Sequence, residues 1–208
     1  MIGVESESYP SAFLALKGKP VVCGGQTVAE GIAVKQPGTI TLGMIDRLVD
    51  DVMLVPEVAI ERAIDLFMTA GKTAAEGAGA VTLAAVMQRR DVFAGRAVGL
   101  VLSGGNIDSR LLASILMRAL IRSGRVTRLR IEIDDRPGAL AGVAKLIGAG
   151  GGNILEVQHQ RLFLDVPAKQ ADLEIVLETR DREHVTDILA RLRTDGYRVR
   201  ELIDFSTN

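Results

Sequence analysis

The sequence predicts an α/β fold in two parts, a portion of a parallel sheet with helices and then a βαββαβ unit of the α+β, ferredoxin-like type. Three observations support this prediction. Short apolar runs alternate with segments of helical spacing in residues 1–123, a glycine-rich turn closes the last of these runs, and charged and apolar residues alternate singly from residue 126. The first pattern is typical of strands buried on both faces, and the last is typical of a sheet covered on one face.

Three apolar runs in the first part are predicted strands, namely residues 2–4, 52–55 and 97–102. Between the second and third runs, residues 58–71 repeat apolar side chains at helical spacing, so we expect a helix there. Gly71 follows the last apolar residue, which is the usual position of a left-handed C-cap glycine. Because strands and helices alternate in this way, we expect the strands to pair in parallel.

The third predicted strand ends in Ser103-Gly104-Gly105-Asn106, immediately before another helical pattern. In an open α/β sheet ligands bind at this edge, and glycines let the backbone approach a flat or phosphorylated ligand. Ser103 would then face the crevice. The alternative is a strand-to-helix turn in which Ser103 or Asn106 only caps the next helix.

A second run of small residues places Glu76 directly before Gly77-Ala78-Gly79, at the start of an alanine-rich helix. Residues of this size permit close approach of a ligand or of another backbone. A carboxylate at this position would instead satisfy the free N–H groups of the helix N-terminus. The pattern alone leaves both interpretations open.

The second part begins near Ser123, where several arginines flank Ser123-Gly124, and we place the domain boundary there, with residues 1–123 before it and residues 124–208 after it. The predicted strands are residues 126–133, 154–165, 172–178 and 197–202, with helical stripes over 140–147 and 185–192. This order describes an antiparallel sheet backed by two helices. His184 is assigned to the charged side of the last helix, without a functional role.

Composition excludes several classes of function. A net charge of -1 and 3% aromatic residues provide neither a phosphate-neutralising face nor a stacking platform, so nucleic acid is not an expected partner. The apolar runs are far shorter than the roughly 20 residues of a membrane span, and the N-terminus lacks a basic region, which predicts a cytoplasmic protein. One cysteine and two histidines offer no cluster for zinc or a transition metal.

Five short segments occur in a fixed order along the first part, at residues 3–7, 29–31, 49–55, 73–80 and 103–106. In this order they resemble the later half of the catalytic domain of threonine ammonia-lyases, which are fold-type II enzymes that use pyridoxal phosphate. The resemblance extends from residue 2 to about residue 121. It implies that Ser103 meets the pyridine nitrogen of the cofactor, that Glu76 lies below the ring, and that the pocket beside the ring is shaped by Gly104, Gly105 and Asn106.

The same resemblance also addresses metals and catalysis. Glu5 matches one ligand of a divalent-cation site in some relatives, but Ser11 stands where an aspartate would complete it, so no metal is expected. The family holds its cofactor on a lysine in a Ser-Phe-Lys-x-Arg-Gly-Ala context and its phosphate in a glycine tetrad, and the sequence contains neither motif. The resemblance therefore implies the C-terminal part of such an enzyme, without catalytic residues and inactive alone.

The second part resembles an ACT domain, a small-molecule sensor of amino-acid enzymes, over residues 125–205. The resemblance rests on Asp134-Asp135-Arg136-Pro137-Gly138-Ala139-Leu140 and on Gly152-Asn153-Ile154. It implies an amino-acid effector at the interface of two such domains, and therefore a homo-oligomer. The implied effector contacts come from Asp135, Pro137, Gly138, Leu140 and Asn153.

Two residues of this part keep a second interpretation. Asn153 follows three glycines and tolerates a left-handed turn conformation, which would explain it without a ligand. Residues 156–161 resemble a segment of threonine ammonia-lyases of intermediate length, and alternation places His159 and Arg161 on one face. We interpret His159 as a partly exposed structural residue, with a ligand-sensing role as the alternative.

The leading functional hypothesis is a truncated threonine ammonia-lyase under allosteric control. The complete family enzyme converts threonine to 2-oxobutanoate and ammonia with pyridoxal phosphate, and the ACT domain would bind the controlling amino acid. The alternative hypothesis is a non-catalytic amino-acid-sensing protein whose upstream segment is vestigial.

Overall fold

The computed structural model describes residues 1–160 and 170–202. The chain divides into two compact units, Met1–Leu116 and Met117–Asn208. The domain boundary placed at residues 123 and 124 remains a prediction. No helix in the described part of the chain is long and apolar enough to span a bilayer.

The first unit is built on two parallel strands. Strands β1 (Ile2–Ser6) and β2 (Asp51–Val55) pair in parallel with Val4 opposite Met53, which confirms the first two predicted strands. The helices of this unit are α1 (Ser11–Leu16), α2 (Thr39–Leu48), α3 (Glu57–Thr69), α4 (Gly77–Gln88) and α5 (Arg90–Phe93), with a short 3₁₀ turn at Glu30–Ile32. Helix α6 (Ser109–Arg122) begins in this unit and extends past its last residue, Leu116. The core lies where α3 and the small-residue helix α4 pack together, and it buries Ile60, Ile64, Ala80, Ala84 and Ile115.

Helix α3 forms as predicted, but it ends differently. Its apolar residues recur at helical spacing and face the core. The left-handed residue that follows is Lys72, with φ 51°, and Gly71 is not in that region, so the predicted C-cap was wrong. The helix ends at Thr69, earlier than predicted, and the N–H groups of Ala70 and Gly71 both bond to Leu66 O, at 2.9 and 3.2 Å. Lys72 Nζ then donates to the carbonyl of Thr69 at 2.7 Å, which satisfies a terminal acceptor of the helix.

The prediction of a third strand over residues 97–102 was wrong. Among the described residues β1 and β2 pair only with each other, and this segment has no ladder. It lies against α4, where Val101 O accepts from Thr82 Oγ1 at 3.4 Å. A strand needs the N–H and C=O groups of a neighbour, and no described strand lies alongside this segment to supply them.

The second unit confirms the predicted βαββαβ order. Its elements are β3 (Val126–Asp134), α7 (Ala139–Ala149), β4 (Asn153–Gln160), β5 (Gln170–Glu178), α8 (Arg182–Thr194) and β6 (Arg198–Glu201). The sheet order is β4-β5-β3-β6, and every neighbouring pair is antiparallel. The predicted second strand is confirmed as far as Gln160, and its remainder, with Arg161, lies outside the described residues.

One face of this sheet is apolar, as the alternation predicts. The inward side chains of β3 and β5 pack against both helices in one core, which includes Leu129, Ile131, Leu173, Ile175, Ile147, Ile188 and Leu192. The opposite face carries charges, and there Arg130 pairs with Glu174. A sheet covered on one side requires this division.

His184 corrects the sequence assignment, because it is buried (3% exposed) at the start of α8. Its Nδ1 accepts the Arg180 N–H at 3.1 Å, and its Nε2 lies 2.7 Å from the carbonyl oxygen of Gly150. Since Nδ1 accepts, we assign the hydrogen to Nε2, which then donates to Gly150. His184 therefore connects the start of α8 to the turn after α7.

Candidate functional site

A cavity of about 300 Å³ opens at the N-terminus of α4. Two of the predicted cofactor residues, Glu76 and Asn106, line it together. The rest of the lining comes from the 3₁₀ turn and the residues before it, from the first residues of α4 and from the start of α6. These residues are Val28, Glu30, Gly31, Gly77, Ala78, Ile107, Asp108 and Leu111. The structure thus brings Val28, residues 30–31, residues 76–78 and residues 106–108 into one site.

Glycines allow three backbone segments to meet beside this cavity. A Cβ at Gly77 would overlap the carbonyl of Val28 and would stand 2.8 Å from the Ala29 nitrogen. A Cβ at Gly79 would lie 2.9 Å from the carbonyl oxygen of Gly104. These distances are shorter than side-chain carbons tolerate, so the small residues at the start of α4 are required by packing.

Glu76 faces the cavity from the position just before α4. Its N–H donates to Gly104 O at 3.1 Å, which joins the two predicted cofactor segments directly. Within the described residues its side chain makes no capping bond to α4, so the helix-capping interpretation of its carboxylate is wrong. A Cβ on Gly104 would overlap this carboxylate, which shows how closely the two residues pack.

The other predicted residues of this segment are placed differently. Ser103 is exposed and does not line the cavity, and a Cβ at Gly105 would stand 2.8 Å from Ala74 O. Neither Ser103 nor Asn106 caps the next helix. Asp108 does so, because its Oδ1 accepts the Leu111 N–H at 2.9 Å. Asp108 was missed in the sequence, although its position before a helical pattern is the usual one for an N-cap.

Glu57 was also missed, and it holds a wall of the cavity in place. Its Oε1 accepts from the buried hydroxyl of Ser6 at 2.8 Å, and its Oε2 accepts the Val28 N–H at 2.9 Å. One carboxylate therefore joins the end of β1, the start of α3 and the turn that carries Val28. The available sequence signal was an acidic residue two positions after the end of a strand, at the edge where ligands bind.

Glu5, the residue that matched a metal ligand, is engaged in a helix cap. Its carboxylate accepts the N–H groups of Ala12 and Phe13, each at 2.9 Å, and the Ser11 hydroxyl at 3.3 Å. These bonds satisfy free donors at the first turn of α1. Ser11 is thus a hydrogen-bond partner of Glu5.

The predicted effector loop is an exposed turn at the end of β3. Gly138 has φ 86°, and no heavy atom lies within 4 Å of an ideal Cβ there. Because α7 begins at the next residue, its first N–H groups are at this turn. Asp135 and Pro137 are exposed, and Leu140 lies at 36% exposure on the first turn of α7.

Asn153 is placed at the opposite end of the sheet from Gly138. The register sets Asn153 and Val126 opposite the same residue of β5, whereas Asp134 pairs at the other end of that strand. Over the length of β3 this separation is about 27 Å. Within one chain, therefore, Gly138 and Asn153 do not contact a common small ligand.

The side chain of Asn153 also has a local partner, since its Nδ2 donates to Glu178 Oε2 at 3.0 Å. Its backbone starts β4, and the left-handed residue of this turn is Gly151, with φ 86°. The interpretation of Asn153 as a left-handed turn residue is therefore wrong.

Comparison with known proteins gives two family matches. Residues 1–104 match the pyridoxal-phosphate dependent enzyme family, and residues 123–195 match the ACT domain. The L-threonine ammonia-lyase of Thermotoga maritima is 41% identical over 202 residues, which are 96% of this chain and 50% of that protein. That of Geobacter sulfurreducens is 42% identical over 201 residues, with the same two shares.

The fold of this chain is compared with one solved structure. The processed form of threonine deaminase isoform 2 from Solanum lycopersicum has a TM-score of 0.51 and 29% identity, over 58% of this chain and 34% of that one. The chain spans about half the length of the curated relatives it matches. The family model matches residues 1–104, which are half of the chain, and an ACT domain follows in the sequence. The chain therefore belongs to the pyridoxal-phosphate dependent enzyme family.

Proposed function

We propose that residues 1–123 form the part of a threonine ammonia-lyase that faces the ring of pyridoxal phosphate, and that residues 124–208 form its amino-acid-sensing domain. The observation that carries the proposal is the cavity at the start of α4, where Glu76 and Asn106 meet. The names of the Thermotoga and Geobacter relatives support the choice of threonine as substrate. Pyridoxal phosphate, when bound, supplies an electron sink for the chemistry at the amino acid's α-carbon.

The cavity suits the ring side of this cofactor in its size and its lining. A volume of about 300 Å³ is at the lower end of the range for small-molecule sites. Gly31 and Gly77 line the cavity without side chains, so a flat ring can lie close to the wall. Asn106 offers an amide donor and acceptor to polar substituents, and Glu76 contributes a carboxylate.

The chain alone is proposed to bind the cofactor reversibly and to leave threonine unchanged. No lysine lines the described cavity, and none of the lysines in the chain stands in the sequence context by which the family holds its cofactor. The ammonia-lyase reaction needs that amine, because it forms the covalent link to the cofactor aldehyde.

Equilibrium dialysis of pyridoxal phosphate against the purified chain tests this proposal. Asn106→Ala should weaken binding, while Asn153→Ala, the same chemical change in the other unit, should leave it unchanged. Release of 2-oxobutanoate by the chain alone, or borohydride fixation of the cofactor on one defined lysine, would show that the incomplete-site proposal is wrong. Effector binding without cofactor binding would favour the alternative of a sensing protein with a vestigial first part.

The effector is proposed to be an apolar amino acid bound between two copies of the second unit. Gly138 and Asn153 lie at opposite ends of the sheet, which β3 spans over about 27 Å, so a site that uses both needs the loop of one copy and the strand start of another. Strand β4 is an edge strand, and Leu155 and Val157 on it are 53% and 38% exposed. Antiparallel pairing of two β4 strands would set Asn153 of one copy at the Gly138 end of its partner.

A mixing experiment tests this arrangement. Gly138→Val and Asn153→Ala chains should each bind isoleucine or valine weakly in calorimetry. In a mixed dimer one of the two sites contains both natural residues, so an equal mixture should regain about a quarter of the wild-type sites. Leu155→Lys should abolish both dimerisation and binding, while the control Leu48→Lys, also exposed, should change neither. No recovery in the mixture, or a monomeric parent chain, would contradict the two-copy site.

A further inference from the structure

The imidazole of His184 joins the two chain segments that lead into Asn153 and out of its partner Glu178. Asn153 is the first residue of β4, Glu178 is the last residue of β5, and the sheet register places them opposite each other. The carbonyl oxygen of Gly150, just before Asn153, lies 2.7 Å from His184 Nε2. The N–H of Arg180, just after Glu178, donates to His184 Nδ1 at 3.1 Å. Both ring nitrogens therefore hold the start of β4 against the end of β5.

The turn that leads into Asn153 is packed closely against α8. Gly152 permits this contact, because an ideal Cβ there would lie 2.9 Å from Ile188 Cδ1. His184 is 3% exposed, so its two hydrogen bonds are shielded from water. Since only a short stretch of glycine backbone separates Gly150 from Asn153, a shift of the Gly150 carbonyl also moves the start of β4.

The start of α8 does not itself require an imidazole. Its N-cap is Asp181, whose Oδ1 accepts the N–H of His184 at 2.8 Å. What the imidazole adds is one accepting and one donating nitrogen, which match the Arg180 N–H and the Gly150 carbonyl. The ring therefore aligns two strand ends, while the helix begins through a different side chain.

We propose that His184 is a positioning residue for the effector, because it determines where Asn153 lies at the start of β4. This inference rests on the proposed function, in which Asn153 contacts the amino acid, and it adds a residue that does not touch the ligand. The Gly150 bond fixes the approach to Asn153. The Arg180 bond fixes the connection after Glu178, whose Oε2 accepts from Asn153 Nδ2 at 3.0 Å. With Asn153 held in place before the ligand arrives, less free energy is lost to ordering on binding.

Two conservative variants separate positioning from stability. In His184→Gln the amide nitrogen reaches the place of Nε2 and still donates to Gly150, whereas in His184→Asn the shorter amide reaches only the place of Nδ1 and still accepts from Arg180. Each variant leaves one backbone group unpaired, so both should lower the free energy of unfolding in urea to a similar extent. Calorimetry with isoleucine or valine should distinguish them, with a Kd within about threefold of the parent for His184→Gln and at least about tenfold higher for His184→Asn.

A second comparison shows whether His184 acts through Asn153. In the Asn153→Ala background, His184→Asn should raise the Kd by less than about twofold further, because the side chain that it positions is gone. Hydrogen exchange of residues 150–154 gives a readout without a ligand. It should be at least about tenfold faster in His184→Asn than in His184→Gln.

Three results would each overturn the inference. They are equal affinities in the Gln and Asn variants, a full additional loss in the Asn153→Ala background, and equal exchange of residues 150–154 in the two variants. Failure of the proposed function gives a different result, since the parent chain would then bind neither isoleucine nor valine. In that case the exchange comparison alone decides whether His184 holds Asn153 in place.

Discussion

Replacement of Gly77 by alanine should destabilise the first unit, because α4 begins against the backbone of the cavity wall. The added Cβ would overlap the Val28 carbonyl and would stand 2.8 Å from the Ala29 nitrogen. The wall must move by at least about 0.6 Å at Ala29, and further at Val28, to reach van der Waals contact. That movement also strains the bond from the Val28 N–H to Glu57.

The magnitude follows from two opposing effects. Overpacking costs about 1–3 kcal/mol, and the strained hydrogen bond adds up to about 1 kcal/mol. Alanine recovers less than about 1 kcal/mol of helix propensity at the end of a helix. We therefore expect a net loss of about 2 kcal/mol in the free energy of unfolding, together with weaker binding of pyridoxal phosphate.

Gly43→Ala is the matched control, since Gly43 lies inside α2 and no heavy atom lies within 4 Å of its ideal Cβ. This change should stabilise by about 0.5–1 kcal/mol. Urea unfolding followed by circular dichroism gives both values, and hydrogen exchange of residues 26–32 locates the effect. If Gly77→Ala were as stable as the parent, or shifted in the same direction as the control, the proposed close packing would be refuted.

Three further predictions concern single side chains. His184→Phe removes the hydrogen-bond partner of the Arg180 N–H and of the Gly150 carbonyl, and it should lower the unfolding free energy by about 2–4 kcal/mol in urea. An unchanged value would contradict the two bonds. Burial raises the pKa of the Cys23 thiol, so iodoacetamide should react with Cys23 more slowly at pH 8 than with N-acetylcysteine. The charge of Lys35 lowers this pKa, so Lys35→Gln should slow the reaction further. The hydrogen bond from Arg89 lowers the pKa of Asp91. The ionised carboxylate therefore stabilises the folded state above its ordinary pKa, and this stabilisation is lost as the pH falls through the lowered pKa. NMR titration should show the pKa of Asp91 return to its usual range in Arg89→Gln.

Part of the candidate site could be predicted from local sequence. Small residues after Glu76 and glycines before Asn106 mark places where backbones approach each other or a ligand, and the structure brings both segments to one cavity. Asp108 and Glu57 were missed. Their roles depend on which N–H groups lie within reach, and in the case of Glu57 those groups are distant in sequence.

The two halves of the fold differ in how far periodicity predicts them. In the second unit every strand has a neighbour within the described residues, so alternation was sufficient to predict the order βαββαβ. In the first unit residues 97–102 have the composition of a strand, but no described strand lies beside them. A strand in a sheet requires hydrogen bonds to a neighbouring strand, and the sequence of one segment does not specify which segment will be that neighbour.

The sequence by itself determined the fold class, the two families and the segments that form the cavity, because these depend on residue size, hydrophobic spacing and local turn chemistry. Only the tertiary structure decided that Gly138 and Asn153 lie at opposite ends of the sheet, that His184 is buried, and that Ser103 is exposed and does not line the cavity. Each of these depends on strand register or on contacts between residues distant in sequence. Such contacts follow from the packing of the whole unit, which local patterns do not encode.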